Sequence, residues 1–356
     1  MDPSALVLNV LKIFGLGSFA FFVGLSGTPF LLKLFHRHEA WPKSMPRQKV
    51  VTGEDSVVVR QQESHLLQNV PRLGGIVIWG TVLVVILAVR LVSELFPTDL
   101  TIKLDFLSRS QTWLPLFALI SASIIGLIDD MLRIKSRGGY IADGLELRKR
   151  IGLVMLIGFI VSYWFYIQLG LSTLNIPFIG DIALGWLYIP IFIIVLIGTF
   201  STGIIDGIDG LAGGVFASIF AAYLGIAIFR QQIDLAAFIA VLIGALLAFL
   251  WHNIPPAKYY MGETGILGLT TVLTLIAFFT DAVAVLPIIA LPLVLTAGSA
   301  ILQIFWKKVF GKKLFIAAPL HHHLEARGWT RPQITMRYWI FGTIMALIGM
   351  VIAVIG

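Results

Sequence analysis

The residues of greatest chemical interest are five carboxylates and three adjacent histidines, all close to the ends of long apolar stretches. They are Asp129, Asp130, Asp206, Asp209, Glu263, His321, His322 and His323. Ionisable side chains at membrane depth are costly and rare unless they serve an ion or a reaction. Because these residues come from four separate segments of the chain, we predict that the fold gathers them into one active site.

The composition predicts a membrane protein. Of the 356 residues, 58% are hydrophobic and 13% are charged, and the mean hydropathy is +0.93. A helix needs about 20 apolar residues to cross the hydrocarbon core. We therefore predict an all-α polytopic fold that forms a single integral membrane domain over residues 1–356. The ten predicted transmembrane helices are 6–34, 73–95, 113–128, 151–169, 184–204, 211–229, 235–252, 266–279, 282–305 and 338–355.

The distribution of basic residues predicts how the chain is oriented. Four loops hold 21 of the 26 Lys and Arg residues, namely 33–72, 131–151, 254–262 and 307–337. Loops that stay in the cytoplasm carry such an excess. We therefore expect both termini on the extracytoplasmic side and the acids and histidines on the cytoplasmic face.

Several other classes of function are excluded or disfavoured. The chain has no cysteine, which excludes thiolate catalysis and Cys-ligated metal sites. The net charge of +7 lies beside apolar spans, so it favours the lipid bilayer and phosphorylated substrates as partners, with no nucleic acid. The first apolar stretch lacks a basic leading region and a cleavage pattern, which predicts a retained helix.

Each acidic motif also has a purely structural interpretation. Asp129 and Asp130 could end the third span, but two acids are disfavoured by the C-terminal dipole of a helix and would favour a cation. Asp206 and Asp209 share a face if their segment is helical, or they form a glycine-rich turn. Glu263 could be no more than an acid placed at a helix N-terminus.

The three histidines and the side-chain amides of Asn253 and Gln303 can also be interpreted as either functional or structural. Three consecutive histidines cannot all turn to one metal ion from a regular helix or strand, so binding of phosphate or sugar is the better prediction. Asn253 and Gln303 lie at or near the ends of spans, where either could satisfy a backbone group. Hard oxygen ligands suit Mg²⁺ held partly by substrate phosphates. Together these features predict phosphoryl transfer at a membrane surface.

The ordered motifs resemble those of the polyprenyl-phosphate N-acetylhexosamine-1-phosphate transferases, glycosyltransferase family 4. Within this superfamily, His321 to Glu325 followed by Gly328-Trp329 is most similar to the phospho-N-acetylmuramoyl-pentapeptide transferases. The motifs that carry the resemblance are Pro71-Arg72-Leu73-Gly74-Gly75, Asp129-Asp130, Asp206-Gly207-Ile208-Asp209-Gly210-Leu211-Ala212, Asn253, Met261-Gly262-Glu263-Thr264-Gly265 and Pro319 to Glu325.

The resemblance implies a magnesium-dependent enzyme that transfers phospho-N-acetylmuramoyl-pentapeptide from its UDP-linked donor to undecaprenyl phosphate. The products are UMP and lipid I, a peptidoglycan precursor, and the family suggests a homodimer. By position, Glu263 and Asp206 are the predicted Mg²⁺ ligands. The predicted catalytic residues are Asp129, Asp130, Glu263 and His321. The predicted substrate-binding residues are Arg72, Asp206, Asp209, Asn253, Gln303, His322 and His323.

The chain departs from the family pattern at three places. Glu263 stands where the family usually has Asp, and Gly203 stands where it usually has Asn. Segment 70–75 is more similar to relatives that transfer N-acetylglucosamine-1-phosphate for other surface polymers, which is the alternative function. A transporter is a more distant alternative, because it predicts polar groups at the bilayer midplane and repeated halves that this sequence lacks.

Overall fold

A computed structural model of the protein describes residues 3–41, 70–107, 110–135 and 144–356. Within these ranges, ten helices are long and apolar enough to cross a membrane, which confirms the all-α class and the predicted number of spans. The predicted basic loops include residues 42–69 and 136–143, which lie outside the described residues. Spans 1 to 10 are Leu6–Arg37, Gly75–Leu95, Thr112–Lys135, Leu147–Gln168, Gly185–Ile205, Leu211–Phe229, Ile233–Asn253, Gly262–Phe279, Leu291–Phe310 and Arg331–Ile355.

Spans 7 and 8 form the centre of the bundle, since both are buried along most of their length. Small residues allow the neighbouring backbones to approach closely. A Cβ built on Gly244 in span 7 would lie 2.0 Å from the carbonyl oxygen of Gly17 in span 1. Association of helices in lipid depends on such close van der Waals packing, so these glycines help to hold span 1 against the centre.

Shorter elements complete the chain. The loop between spans 4 and 5 contains two antiparallel strands, Thr173–Ile176 and Gly180–Ala183, which were not predicted. Phe178 in this hairpin donates its amide to the carbonyl of Gly356 (3.2 Å). The remaining elements are the short helices Asp99–Leu104, Leu286–Ile289 and Leu320–Ala326, the 3-10 turns Gly185–Leu187 and Thr202–Ile205, and the segments of the first helix, Pro3–Val10, Leu11–Gly15 and Leu16–Arg37.

Three predicted helix boundaries were wrong. The third helix, Ser110–Lys135, continues past the acid pair, with Arg133 and Lys135 in its last turn. The ninth predicted span is broken at Ala290, because a new helix begins at Leu291 with a proline in its first turn. Span 10 begins at Arg331, since Thr330 forms a capping box with Gln333. Its sequence, Thr-Arg-Pro-Gln, carries that signal.

An ion pair lies inside the bundle at the N-terminal ends of spans 1 and 7. The ammonium of Lys12 lies 2.6 Å from Oδ1 of Asp234, with each side chain 8% exposed, and it donates to the carbonyl of Lys103 (2.7 Å). The hydrogen bonds compensate part of the cost of removing both charges from water. This pair fixes the end of the bundle opposite the acidic motifs.

Candidate active site

The site begins where span 3 crosses the N-terminus of span 8. A Cβ on Gly126 would lie 2.2 Å from the carbonyl oxygen of Glu263, so only glycine permits this crossing. One turn further, Asp130 is 2% exposed and accepts the amides of Glu263 (3.2 Å) and Thr264 (2.9 Å). The first amides of a helix have no partner within it. Asp130 therefore caps span 8 from a neighbouring helix.

Asp129 belongs to a different cluster, which we call the arginine network and define as Asp129, Glu263, Arg133 and Arg150. Arg150 Nη1 lies 2.6 Å from Glu263 Oε1, and Arg133 Nη2 lies 3.3 Å from the same oxygen. Arg133 Nη2 is also 3.0 Å from Asp129 Oδ2, while Asp129 Oδ1 accepts the amide of Leu145 (2.5 Å). The two negative charges of the carboxylates and the two positive charges of the guanidinium groups thus balance one another.

The arginine network has unused hydrogen-bonding capacity. The Nε atoms of Arg133 and Arg150 and Oδ2 of Asp129 are buried and make no hydrogen bond to any other described group. Guanidinium groups present several donors in a plane and bind phosphate oxygens in pairs. Glu263 is 22% exposed, so the network opens toward solvent on one side. The side chains of Arg133 and Arg150 are 22% and 15% exposed, so an anion on that side can reach their guanidinium groups, although not the buried Nε atoms.

The second acidic motif is a turn between spans 5 and 6, and both of its acids accept backbone amides. Asp206 Oδ2 accepts the amide of Gly262, and Asp209 Oδ2 accepts that of Ala257, each at 3.1 Å. Burial raises the pKa of Asp206 to about 6, although the Gly262 amide and the nearby Arg72 lower it. The structure therefore adopts the glycine-rich turn and places it against the start of span 8.

Asn253 holds this turn from beneath. It is 2% exposed, its Oδ1 accepts the amide of Gly210 (3.1 Å), and its Nδ2 donates to the carbonyl of Tyr259 (2.8 Å). Gly210 has a φ of +73°, a conformation that glycine adopts without a steric penalty. Asn253 thus satisfies backbone groups at the wall of the site and fixes the turn.

Arg72 enters from the segment before span 2. The backbone of residues 71–75 pairs with that of residues 260–261, with Tyr260 donating to Pro71 (2.8 Å) and Gly74 donating to Tyr260 (2.9 Å). Burial lowers the pKa of Arg72, whereas the nearby carboxylates of Asp206 and Asp130 raise it. Arg72 is therefore a partly buried cation between the two acidic motifs.

The histidines lie on the short helix Leu320–Ala326, and the structure brings two of them to the acidic turn. A Cβ on Gly207 would lie 2.9 Å from Nε2 of His321 and 3.2 Å from Nε2 of His322. His321 is fully buried, and neither ring nitrogen bonds to a described group. Burial lowers its pKa well below the usual value, so that the ring is neutral.

His323 and Gln303 point elsewhere. His323 Nδ1 accepts the amide of Ile316 (3.2 Å). Gln303 accepts the amides of Leu314 (3.0 Å) and Phe315 (2.9 Å), and its Nε2 donates to the carbonyl of Phe315 (3.1 Å). Gln303 therefore supports the loop before the histidine helix, as the structural alternative predicted, and His323 packs on the same loop.

Among the described residues, no three His, Asp or Glu side chains are arranged to enclose a metal ion. Glu263 and Asp206 do supply carboxylate oxygens beside the N-terminus of span 8. Mg²⁺ commonly binds to one or two carboxylates and takes its other ligands from substrate phosphates and water. The donor set therefore fits Mg²⁺ in the presence of a phosphate substrate.

Sequence reasoning missed the most strongly coupled residues of the site. Arg133 and Arg150 were counted only as charges that orient the chain. Arg133 lies four residues after Asp129 on one helix, a spacing that places both on one face and could have indicated the pair. Arg150 carried no comparable signal, because its partner Glu263 is distant in the sequence. Tyr260, whose backbone pairs with Pro71 and Gly74 beside Arg72, was missed as well.

Comparisons with known proteins agree with this geometry. Residues 112–281 match the profile of glycosyl transferase family 4. The chain is 32% identical to the phospho-N-acetylmuramoyl-pentapeptide-transferase of Chloroflexus aurantiacus, over 82% of this chain and 80% of that protein. It is 34% identical to the enzyme of that name from Rickettsia massiliae, over 81% of each chain, and 35% identical to that from Bartonella quintana, over 68% and 72%. The chain therefore belongs to the phospho-N-acetylmuramoyl-pentapeptide transferases of glycosyl transferase family 4.

Proposed function

We propose that the chain transfers phospho-N-acetylmuramoyl-pentapeptide from its UDP-linked donor to undecaprenyl phosphate in the plasma membrane of a bacterium. UMP leaves and lipid I remains in the membrane. The names of the relatives support the donor. The observation that carries the proposal is the arginine network beside Arg72, because it provides fixed cations where a transferred phosphoryl group needs them.

The reaction that we propose forms one bond and breaks another at the same phosphorus. An oxygen of the lipid phosphate attacks the sugar-linked phosphorus of the donor, and the oxygen that joins this phosphorus to UMP leaves with the bonding electrons. Charge spreads over the phosphoryl oxygens in the transition state, so catalysis depends mainly on positioning and charge stabilisation. Arg133, Arg150 and Arg72 would supply that stabilisation.

The structure suggests different roles for the adjacent acids. The lipid phosphate is largely ionised near pH 7 and needs little help from a general base. Asp130 uses both carboxylate oxygens to cap span 8. Asp129 Oδ2 lies 3.0 Å from Arg133 Nη2 and 3.8 Å from Arg150 Nη1. We therefore assign to Asp129 the orientation of Arg133 and of the attacking phosphate, and to Asp130 the position of Glu263.

Mg²⁺ is part of the proposal, with Glu263 and Asp206 as its protein ligands. Bound there with substrate phosphates, the ion would supply additional positive charge to the diphosphate. In the described structure Glu263 is paired with Arg150 and Arg133. Release of Glu263 from these arginines requires another anion for them to bind, and the donor's diphosphate is the natural candidate.

The test is to incubate the purified protein with undecaprenyl phosphate, Mg²⁺ and one donor at a time. We expect UMP release and a lipid product with UDP-N-acetylmuramoyl-pentapeptide. Turnover of UDP-N-acetylglucosamine alone would instead establish the alternative function, which the similarity of segment 70–75 to the other transferases favours. Absence of turnover with both donors would contradict both the proposed function and the alternative.

A further inference from the structure

Glu325 lies outside the acidic motifs, yet it is the most tightly held carboxylate near the histidines. Its Oε1 accepts Nε of Arg331 (2.7 Å), and its Oε2 lies 3.1 Å from Nδ1 of His322. The side chain is 13% exposed. The hydrogen bond from His322, together with Arg331 and in opposition to burial, lowers the pKa of Glu325 to about 2. Glu325 is therefore ionised at neutral pH.

An ionised carboxylate can only accept hydrogen bonds, so Nδ1 of His322 must carry a proton. That proton fixes the ring, because the opposite nitrogen is then the one that faces the acidic turn. A Cβ on Gly207 would lie 3.2 Å from this Nε2. The series of hydrogen bonds from Arg331 through Glu325 to His322 thus ends at the turn that contains Asp206.

His323 provides a matched contrast on the same helix. Its Nδ1 accepts the amide of Ile316, so the proton of a neutral His323 lies on Nε2, the opposite tautomer. Different partners therefore hold the two adjacent histidines as different tautomers. Only the tautomer of His322 depends on a side chain, which a substitution can change without altering the backbone.

We propose that Glu325, anchored by Arg331, is a positioning residue that holds His322 with Nδ1 protonated and Nε2 directed at the substrate beside Gly207. This inference rests on the proposed function. A carboxylate in this position fixes the tautomer and the orientation of the ring, as in other acid–histidine pairs. With the proton on Nδ1, Nε2 accepts a hydrogen bond from a hydroxyl group of the donor.

The test is a double-mutant cycle on the full-length enzyme. We expect Glu325→Gln to lower kcat by about 10–100-fold, as when a carboxylate that orients a metal-bound histidine is lost, with little change in donor KM. Glu325→Asp should retain more turnover than Glu325→Gln because it keeps the charge. When His322 is already replaced by Ala, Glu325→Gln should lower kcat little further. When His323 is replaced by Ala instead, Glu325→Gln should lower kcat by the same factor as in the wild type.

A second readout does not depend on turnover. In ¹⁵N-histidine NMR, Nδ1 of His322, assigned by its loss in His322→Ala, should be protonated in the wild type and should change in Glu325→Gln. An equal cost of Glu325→Gln in both histidine backgrounds, or an Nδ1 signal that Glu325→Gln leaves unchanged, would overturn the inference. Absence of wild-type turnover with an NMR change as expected would contradict the proposed function and leave the positioning role intact.

Discussion

Nη1 of Arg150 lies 2.6 Å from Oε1 of Glu263, although the two residues belong to different spans. Arg133 contacts the same oxygen at 3.3 Å. The carboxylate of Glu263 is therefore held by two cations. Glu263 therefore links the N-terminus of span 8 to Arg133 in span 3 and to Arg150 in span 4. The same carboxylate is a proposed metal ligand, so Glu263 has both a structural role and a proposed catalytic one.

Glu263→Gln should abolish most turnover. The substitution removes the charge that Arg150 contacts at 2.6 Å and one of the two proposed metal ligands. Loss of a single charge-stabilising group from an active site typically costs about 100–1,000-fold in kcat. The measurement is UMP release at saturating donor. Glu263→Asp serves as the control and should keep more activity than Gln, and near-normal turnover of Glu263→Gln would contradict the assigned role.

Asp130→Asn should mainly lower the stability of the protein, whereas Asp129→Asn should mainly lower its activity. Asn at position 130 places an amide against one of the two amides that Asp130 accepts, so the cap of span 8 weakens by about 1 kcal/mol. Asn at position 129 removes charge from the arginine network and should lower kcat more than the thermal midpoint. Thermal unfolding in detergent and single-turnover rates separate the two variants, and equal profiles would contradict the division of roles.

The sequence was enough to predict the number of spans and the gathering of the acids, because hydropathy and the cost of charge in lipid act locally. It could not distinguish Asp129 from Asp130. Consecutive residues of a helix point about 100° apart, so adjacent acids meet different neighbours, and those neighbours depend on packing. The pairing of Arg150 with Glu263 joins residues 113 positions apart, which no local pattern reveals. The expected orientation in the membrane and the homodimer stay predictions.

Arg150→Lys should be nearly as harmful as removal of the side chain. Lysine keeps the charge but cannot present the planar pair of donors that suits phosphate and carboxylate. Hydrogen bonds to charged groups contribute about 1.5–3 kcal/mol, which corresponds to about 10–150-fold in kcat/KM for the donor. Arg148→Lys is the matched control, since Arg148 is exposed two residues away. A wild-type kcat/KM for Arg150→Lys would exclude a role in diphosphate binding.

Metal binding should depend on the donor. In the described structure Arg150 and Arg133 neutralise Glu263, so a cation gains little from it until phosphate oxygens draw the guanidinium groups away. We expect the protein to bind Mn²⁺ at least ~10-fold more tightly with the UDP-linked donor present and acceptor absent, a coupling within the usual range for linked sites. By the same linkage, Mn²⁺ should tighten donor binding by an equal factor.

Mn²⁺ affinity is measured by electron paramagnetic resonance, with donor alone as the control for metal bound to free diphosphate. Glu263→Gln should remove the donor-dependent gain, because this substitution removes the ligand that the arginines release. Arg150→Met should raise Mn²⁺ affinity without donor, since Glu263 then keeps only the longer contact with Arg133. If Mn²⁺ binds the wild type equally well with and without donor, Glu263 is not released by the substrate, and its pairing with the arginines persists through the reaction.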